Sequence, residues 1–177
     1  QLDLDAIARN NINVNYDPMK FAAVMMRTKT PKKSSVLIFK KGIMTISGVD
    51  RQEDVEYYIR FYTNAIKKVH PAACVKSFKI INIATSSILR KNNKIINKLN
   101  LSELHRKSIE INSNNCWFTT YDPIMFPGLC HTITVNEKEN VKIVLFTSGK
   151  ITIVGLNNVD QINPAYQICA EWIGKLI

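Results

Sequence analysis

Tyr16–Phe21 reads YDPMKF, and Tyr121–Phe126 reads YDPIMF. A longer pair follows. Val36–Val49 (VLIFKKGIMTISGV) recurs as Ile143–Leu156 (IVLFTSGKITIVGL), with Phe146 in the place of Phe39. A weaker match aligns Leu2-Asp3-Leu4 with Leu99-Asn100-Leu101. Short repeats of ~20–50 residues signal solenoids or propellers. A single duplication of half the chain implies two similar halves joined about a pseudo-two-fold axis, here residues 1–75 and 76–177. Such a molecule suits a target with rough two-fold symmetry of its own, and duplex DNA is one.

Working outward from the repeats, a short helix is expected over 2–10 and an extended piece over 14–17, stopped by Pro18. Strands are expected at 21–29, 35–40 and 43–47, with a turn at 30–33. Over 51–69, Val55, Tyr58, Ile59, Tyr62, Ala65, Ile66 and Val69 recur at three- and four-residue steps, which predicts an amphipathic helix. Acids lead it and Lys67 and Lys68 close it, as the helix dipole prefers. The second half repeats the plan. Strands are expected at 77–87, 117–121, 129–135, 141–146 and 150–154, and helices at 99–107 and 158–176. Pro164 fits only in a first turn. The strand at 77–87 precedes the second Leu-x-Leu; its counterpart would precede Leu2, so an upstream strand is expected to be missing from this sequence.

The 177 residues suffice for one domain with a sizeable core. Lys and Arg total 24 against 14 acids, a net charge of +10, which favours a polyanionic partner. Cys74, Cys116, Cys130 and Cys169 form no C-x-x-C pair and share no ligand spacing with His70, His105 or His131. They read as reduced thiols of an intracellular protein, with no metal and no other cofactor. No apolar run approaches the ~20 residues that cross a bilayer, and no secretory signal leads the chain.

Folding the first strand pair about Thr30 sets Phe21 opposite Phe39; folding the second about Asn136 sets Phe126 opposite Phe146. Aromatics in strands are ordinarily core residues. Two pairs at matching corners of a duplicated sheet, on a basic protein, are also what kinking a minor groove needs.

YDPMKFAAVMMR, SFKIINI, YDPIMFPGL and LFTSGKITIVG resemble the TATA-box-binding protein family of general transcription, in the family's order and from Leu2 to Leu176. The resemblance implies an α+β fold: a duplicated saddle, with a curved antiparallel sheet below and helices on its convex face. It implies wedges at Phe21, Phe39, Phe126 and Phe146, flanked by Leu37, Leu145 and Pro127. It implies groove contacts from Asn82, Ala84, Thr45, Ser47, Thr152 and Val154. Ala84, Thr45 and Thr152 stand where the family has Val. Ser47 matches a hydrogen-bonding Thr, and Val154 matches its symmetric Thr but cannot donate. A minor groove of A·T pairs offers only acceptors, so small apolar groups and a few donors suit such a face.

Phosphate contacts are implied for Lys20, Arg27, Lys32, Lys79 and Lys150, which position a protein without reading sequence. Lys20 replaces a family Arg, and Thr132 stands where an Arg matching Arg27 is expected. The implied partner surface comprises Asp122, which faces transcription factor IIB, and the basic helix residues Arg60, Lys67 and Lys68. Ile124 replaces a second acid, and Asn64 an Arg. Between Asn82 and Tyr121 the chain is longer than the family norm; the excess, mostly Arg90–Asn100 and Ser108–Asn115, reads as disordered loop.

The implied function is initiation on A·T-rich double-stranded promoter DNA in the nucleus, with transcription factors IIA and IIB and associated factors as partners. The protein is expected to be monomeric or weakly self-associating. A different reading is a saddle-shaped interaction scaffold with little TATA preference. A third is an enzyme, since the fold also occurs as an accessory domain in some DNA glycosylases. No helix-hairpin-helix, paired carboxylates or nucleophile–base pair supports it.

Overall fold

The computed structural model of the chain describes residues 1–91, 93–112, 118–134 and 140–177. The expected turn around Asn136, the residues Cys116 and Trp117 and the end of the strand expected at 129–135 lie outside them. The chain divides into two compact units, Gln1–Phe78 and Lys79–Ile177.

In the first unit, α1 (Leu4–Arg9) begins where the Asp3 carboxylate accepts the Ala6 N–H at 2.9 Å, and it buries Leu4 and Ile7. A four-stranded antiparallel sheet follows in the order β1 (Val14–Asn15), β2 (Ala23–Thr28), β3 (Ser34–Phe39), β4 (Met44–Ser47). A 3-10 turn, Gln52–Asp54, leads into α2 (Val55–Lys67). The predicted helical face is observed: Tyr58, Tyr62, Ala65 and Ile66 pack on Val24, Met26, Val36 and Ile38. β3 alternates strictly, with Ser34, Val36 and Ile38 buried and Ser35, Leu37 and Phe39 partly open.

One buried polar pair ties helix to sheet: the Ser34 and Tyr62 hydroxyls lie 2.7 Å apart. Tyr62→Phe leaves the Ser34 hydroxyl buried without that partner, so it should cost about 1–3 kcal/mol in a urea titration. Adding Ser34→Ala should restore most of the loss. A second change that adds its own full cost would show that the pair is not coupled.

In the second unit the sheet order is β5 (Ile83–Ile88), β11 (Lys150–Leu156), β10 (Asn140–Phe146), β9 (Gly128–Thr134), β8 (Phe118–Thr120), all antiparallel. Helices α3 (Leu101–Asn112) and α4 (Ile162–Leu176) cover one face. Leu101, Leu104, Ala165, Trp172 and Ile173 join Leu129, Ile133, Ile143 and Ile153 in one core. Ahead of α4, Asn158 and Gln161 form a capping box, and Pro164 lies in the helix's first turn as expected.

Two expectations are corrected. The strand expected at 77–87 is confined to Ile83–Ile88, because β11 shifts register between Ile153 and Leu156 and the Asn82 side chain takes the Gly155 N–H at 2.9 Å. The segment read as loop carries structure: a small hairpin of β6 (Arg90–Lys91) and β7 (Lys94–Ile95), and a helix α3 that runs on to Asn112. The hairpin is anchored through its flanks. Leu89 donates to the Gly149 carbonyl at 2.8 Å, and Leu99 to that of Thr147 at 2.9 Å. Gly149 has φ +76°, and a Cβ there would fall 1.9 Å from the Ile96 oxygen, so only glycine fits. The first unit repeats one of these bonds, Leu2 N–H to the Lys40 carbonyl at 2.9 Å.

Candidate nucleic-acid interface

Strand side chains alternate between faces, so each sheet has a helix-covered face and an open one. In the first unit one cross-strand row on the open face runs Asn15, Met25, Leu37, Thr45, and the next runs Arg27, Ser35, Ser47. In the second unit the matching rows are Thr120, Cys130, Val144, Thr152, Ser86 and Phe118, Thr132, Lys142, Val154. Thr45, Ser47, Leu37, Thr152 and Val154 thus stand on open faces, half-buried or exposed.

Leu145 does not. It is fully buried among the helix-side core residues. The residue that shares a face with Phe146 is Val144, one position earlier, because strand faces repeat every second residue. Asn82 and Ala84 are exposed at the entrance to β5; the Asn82 carbonyl is held by Gly155 N–H, which leaves its two amide hydrogens as donors.

The observed register of both hairpins differs from the expected one by two residues. Ala23, not Phe21, is opposite Phe39, and Gly128, not Phe126, is opposite Phe146. Phe21 and Phe126 instead close short turns: the Phe21 N–H reaches the Asp17 carbonyl at 2.9 Å, and the Phe126 N–H that of Asp122 at 2.8 Å. The rings still meet. Phe21 and Phe39 lie edge-on with centroids 6.2 Å apart, and Phe126 and Phe146 with centroids 5.9 Å apart. Phe21 is 47% and Phe126 44% exposed, so neither is a core aromatic. A Cβ on Gly128 would come within 2.7 Å of the Phe126 ring and of Val144, so the missing side chain makes room for the pair. Pro127 beside it is exposed.

Arg27 and Lys150 are exposed cations on the open faces. Lys20 is exposed in the turn before Phe21, 3.3 Å from Asp17, and Lys79 is exposed in the chain leading to β5. Lys32 departs from the expectation. Its ammonium lies 3.6 Å from the Asp54 carboxylate, and its carbonyl accepts the Tyr58 hydroxyl at 3.2 Å, so it belongs to the helix side.

Among the intended partner residues, Arg60 pairs with Glu56 at 2.9 Å, and Lys67 and Lys68 are exposed at the end of α2. The Asp122 carboxylate caps its own turn, accepting the Ile124 N–H at 3.0 Å and that of Met125 at 3.3 Å. Ile124 and Met125 stand 96% and 83% exposed beyond it. Among the described residues no group of His, Cys, Asp and Glu could hold a metal ion, and no helix is long and apolar enough to cross a membrane. Burial pushes the Cys169 thiol up to about 12.

Sequence reasoning missed Lys142, Ser86 and Cys130 on the open face, and Val144, which points to that face but is only 9% exposed. Counting back from Phe146 in steps of two would have reached Val144 and Lys142.

Comparison with known proteins shows the family. A family described as "Transcription factor TFIID (or TATA-binding protein, TBP)" matches residues 1–69 and 77–176. The TATA-box-binding protein of Tetrahymena thermophila is 36% identical over 94% of this chain, and that of Dictyostelium discoideum 34% over 94%. The chain spans 61% of the first and 73% of the second. The solved structure of Methanococcus jannaschii TBP shares the fold, with a TM-score of 0.67 at 24% identity over 98% of this chain and 90% of that one. With its α+β fold, duplicated sequence and family match in both halves, the chain belongs to the TATA-box-binding protein family of transcription factors, which are not enzymes.

Proposed function

We propose that the chain is a general initiation factor that lays its open sheet faces in the minor groove of A·T-rich promoter DNA and bends it. The observation that carries this reading is the pair of edge-on phenylalanines at the same corner of each sheet, partly exposed on a chain of net charge +10. Phe21 with Phe39, and Phe126 with Phe146, act as wedges between base steps, favoured where steps unstack easily. Leu37, Val144, Thr45 and Thr152 make the apolar and methyl-bearing floor that acceptor-only A·T edges admit. Arg27, Lys20, Lys79 and Lys150 meet phosphates. The bent complex, formed in the nucleus, recruits transcription factors IIA and IIB and associated factors through Asp122, Arg60, Lys67 and Lys68.

The test is energy transfer between the ends of a short TATA duplex, beside a G·C-substituted duplex at the same salt. End-to-end shortening on the TATA duplex alone is expected. With about four phosphates neutralised, log affinity should fall with log salt at a slope of about −3.5. Salt-sensitive binding to both duplexes without shortening would support the second reading, an interaction scaffold. The apolar tip at Ile124 and Met125, where an acid is expected, favours that reading.

A further inference from the structure

The two open faces carry their cations on different strands. In the first unit Arg27 on β2 is in register with Ser35 on β3 and, through it, with Ser47 on β4. In the second unit the corresponding row is Thr132 on β9, Lys142 on β10 and Val154 on β11. The charge missing at Thr132 therefore reappears one strand over, in place of Ser35. The move changes what the cation can reach. β10 is the middle strand of the five, so Lys142 rises from the centre of its face rather than from near an edge. It is exposed, and among the described residues no ion pair joins it to a carboxylate. Its ammonium is close enough to Cys130, in the neighbouring row, to act on that thiol: burial pushes the thiol up, and Lys142 opposes the shift.

The row that holds Lys142 also holds Val154 where a donating hydroxyl is expected, so on this row the second unit would have lost both a cation at Thr132 and a donor at Val154. We propose that Lys142 takes over the donor role at the centre of the second unit's open face, its ammonium hydrogen-bonding the acceptor edges of A·T pairs in the minor groove. This rests on the minor-groove reading above. An ammonium can only donate. A·T and T·A edges present acceptors in the minor groove, whereas a G·C pair places the guanine amino donor there. Lys142 thereby becomes a determinant of A·T preference and marks one half of a duplicated protein as different from the other.

The variants Lys142→Ser, which copies the first unit, and Lys142→Arg test this on three duplexes: all A·T, the same with G·C pairs, and the same with inosine·C pairs, which lack the minor-groove amino group. Wild-type protein should bind A·T and inosine·C duplexes alike and G·C weakly. Lys142→Ser should lose about tenfold on A·T and inosine·C but little on G·C, compressing the preference, while Lys142→Arg keeps it. The melting temperature of Lys142→Ser should not change, since the side chain is exposed. An equal loss on all three duplexes, with a salt slope smaller by about 0.9, would assign Lys142 to a phosphate and overturn the proposal. So would unchanged binding. Equal wild-type binding to all three duplexes would overturn the minor-groove reading itself and the inference with it.

Discussion

Replacing Phe126 and Phe146 together by alanine will abolish most of the end-to-end shortening of a TATA duplex while leaving the protein folded. The two rings touch each other edge-on at 5.9 Å, and Phe126 is 44% exposed, so truncation removes little from the core of the second unit. That core is built from Leu129, Ile143, Ile153 and Trp172 on the other face of the same sheet. In the wedge role proposed above, the same rings would pack against base faces. Aromatic anchors that become buried on binding cost about 2 kcal/mol or more when truncated, so affinity for the TATA duplex should fall at least about 30-fold. The salt slope should stay near its wild-type value, because no cation is lost. This separates wedging from contact: bending falls and electrostatic attraction remains. The pair Phe21→Ala with Phe39→Ala should reproduce the effect for the first unit, since its rings meet at 6.2 Å in the same edge-on manner. Bending that survives the Phe126/Phe146 double change would remove these residues from the wedge role, whatever the affinity does.

Much of this could be read in the sequence because duplication makes each half a check on the other. YDPMKF and YDPIMF mark the same turn twice, and the Asp carbonyl of each accepts the Phe N–H four residues on. The helix over Tyr58, Tyr62 and Ile66 was legible because its apolar stripe recurs at steps that only one face of a helix can gather. The phase of β10 was harder. Ile143, Val144 and Leu145 are all apolar, so alternation is invisible there and does not show that Leu145 faces the helices. Lys142 settles it, since a lysine does not enter a core unpaired, and its face is shared with Val144 and Phe146. Strand register was also out of reach. Alternation gives the face of each residue but not its partner across the hairpin, and the two hairpins share a register with Ala23 opposite Phe39 in one and Gly128 opposite Phe146 in the other. The structure of the long segment after β5 was hidden for a different reason. Its composition is polar, and the flanks of its hairpin are held by backbone bonds to Thr147 and Gly149 together with the packing of Leu89 and Leu99 on the core.

Acidification from pH 7 to pH 5 will destabilise the second unit through one residue, His131. Its side chain is fully buried on β9, stacked on the Trp172 ring with centroids 4.1 Å apart and planes within 1° of parallel. Nδ1 lies 2.8 Å from the Thr119 hydroxyl on β8. Burial disfavours the imidazolium and pulls the group from 6.5 down to about 4 in the folded chain. The unfolded chain therefore takes up a proton that the folded chain refuses throughout the window between these values. The contribution is absent above pH 6.5, where both states are neutral. Stability drops as pH falls through 6.5 and stops dropping below about 4, where both states are charged. At pH 5 the loss is about 2 kcal/mol, and the full span is about 3 kcal/mol. Urea midpoints for the second unit's transition, followed by tryptophan fluorescence at pH 7 and pH 5, measure it. His131→Phe keeps an aromatic ring against Trp172 without the titrating nitrogen, so its midpoint should be lower at pH 7 for want of the Thr119 partner but nearly level between the two pH values. A wild-type midpoint that does not fall on acidification, or a variant that falls just as far, would show that His131 is not the group whose protonation opens this core.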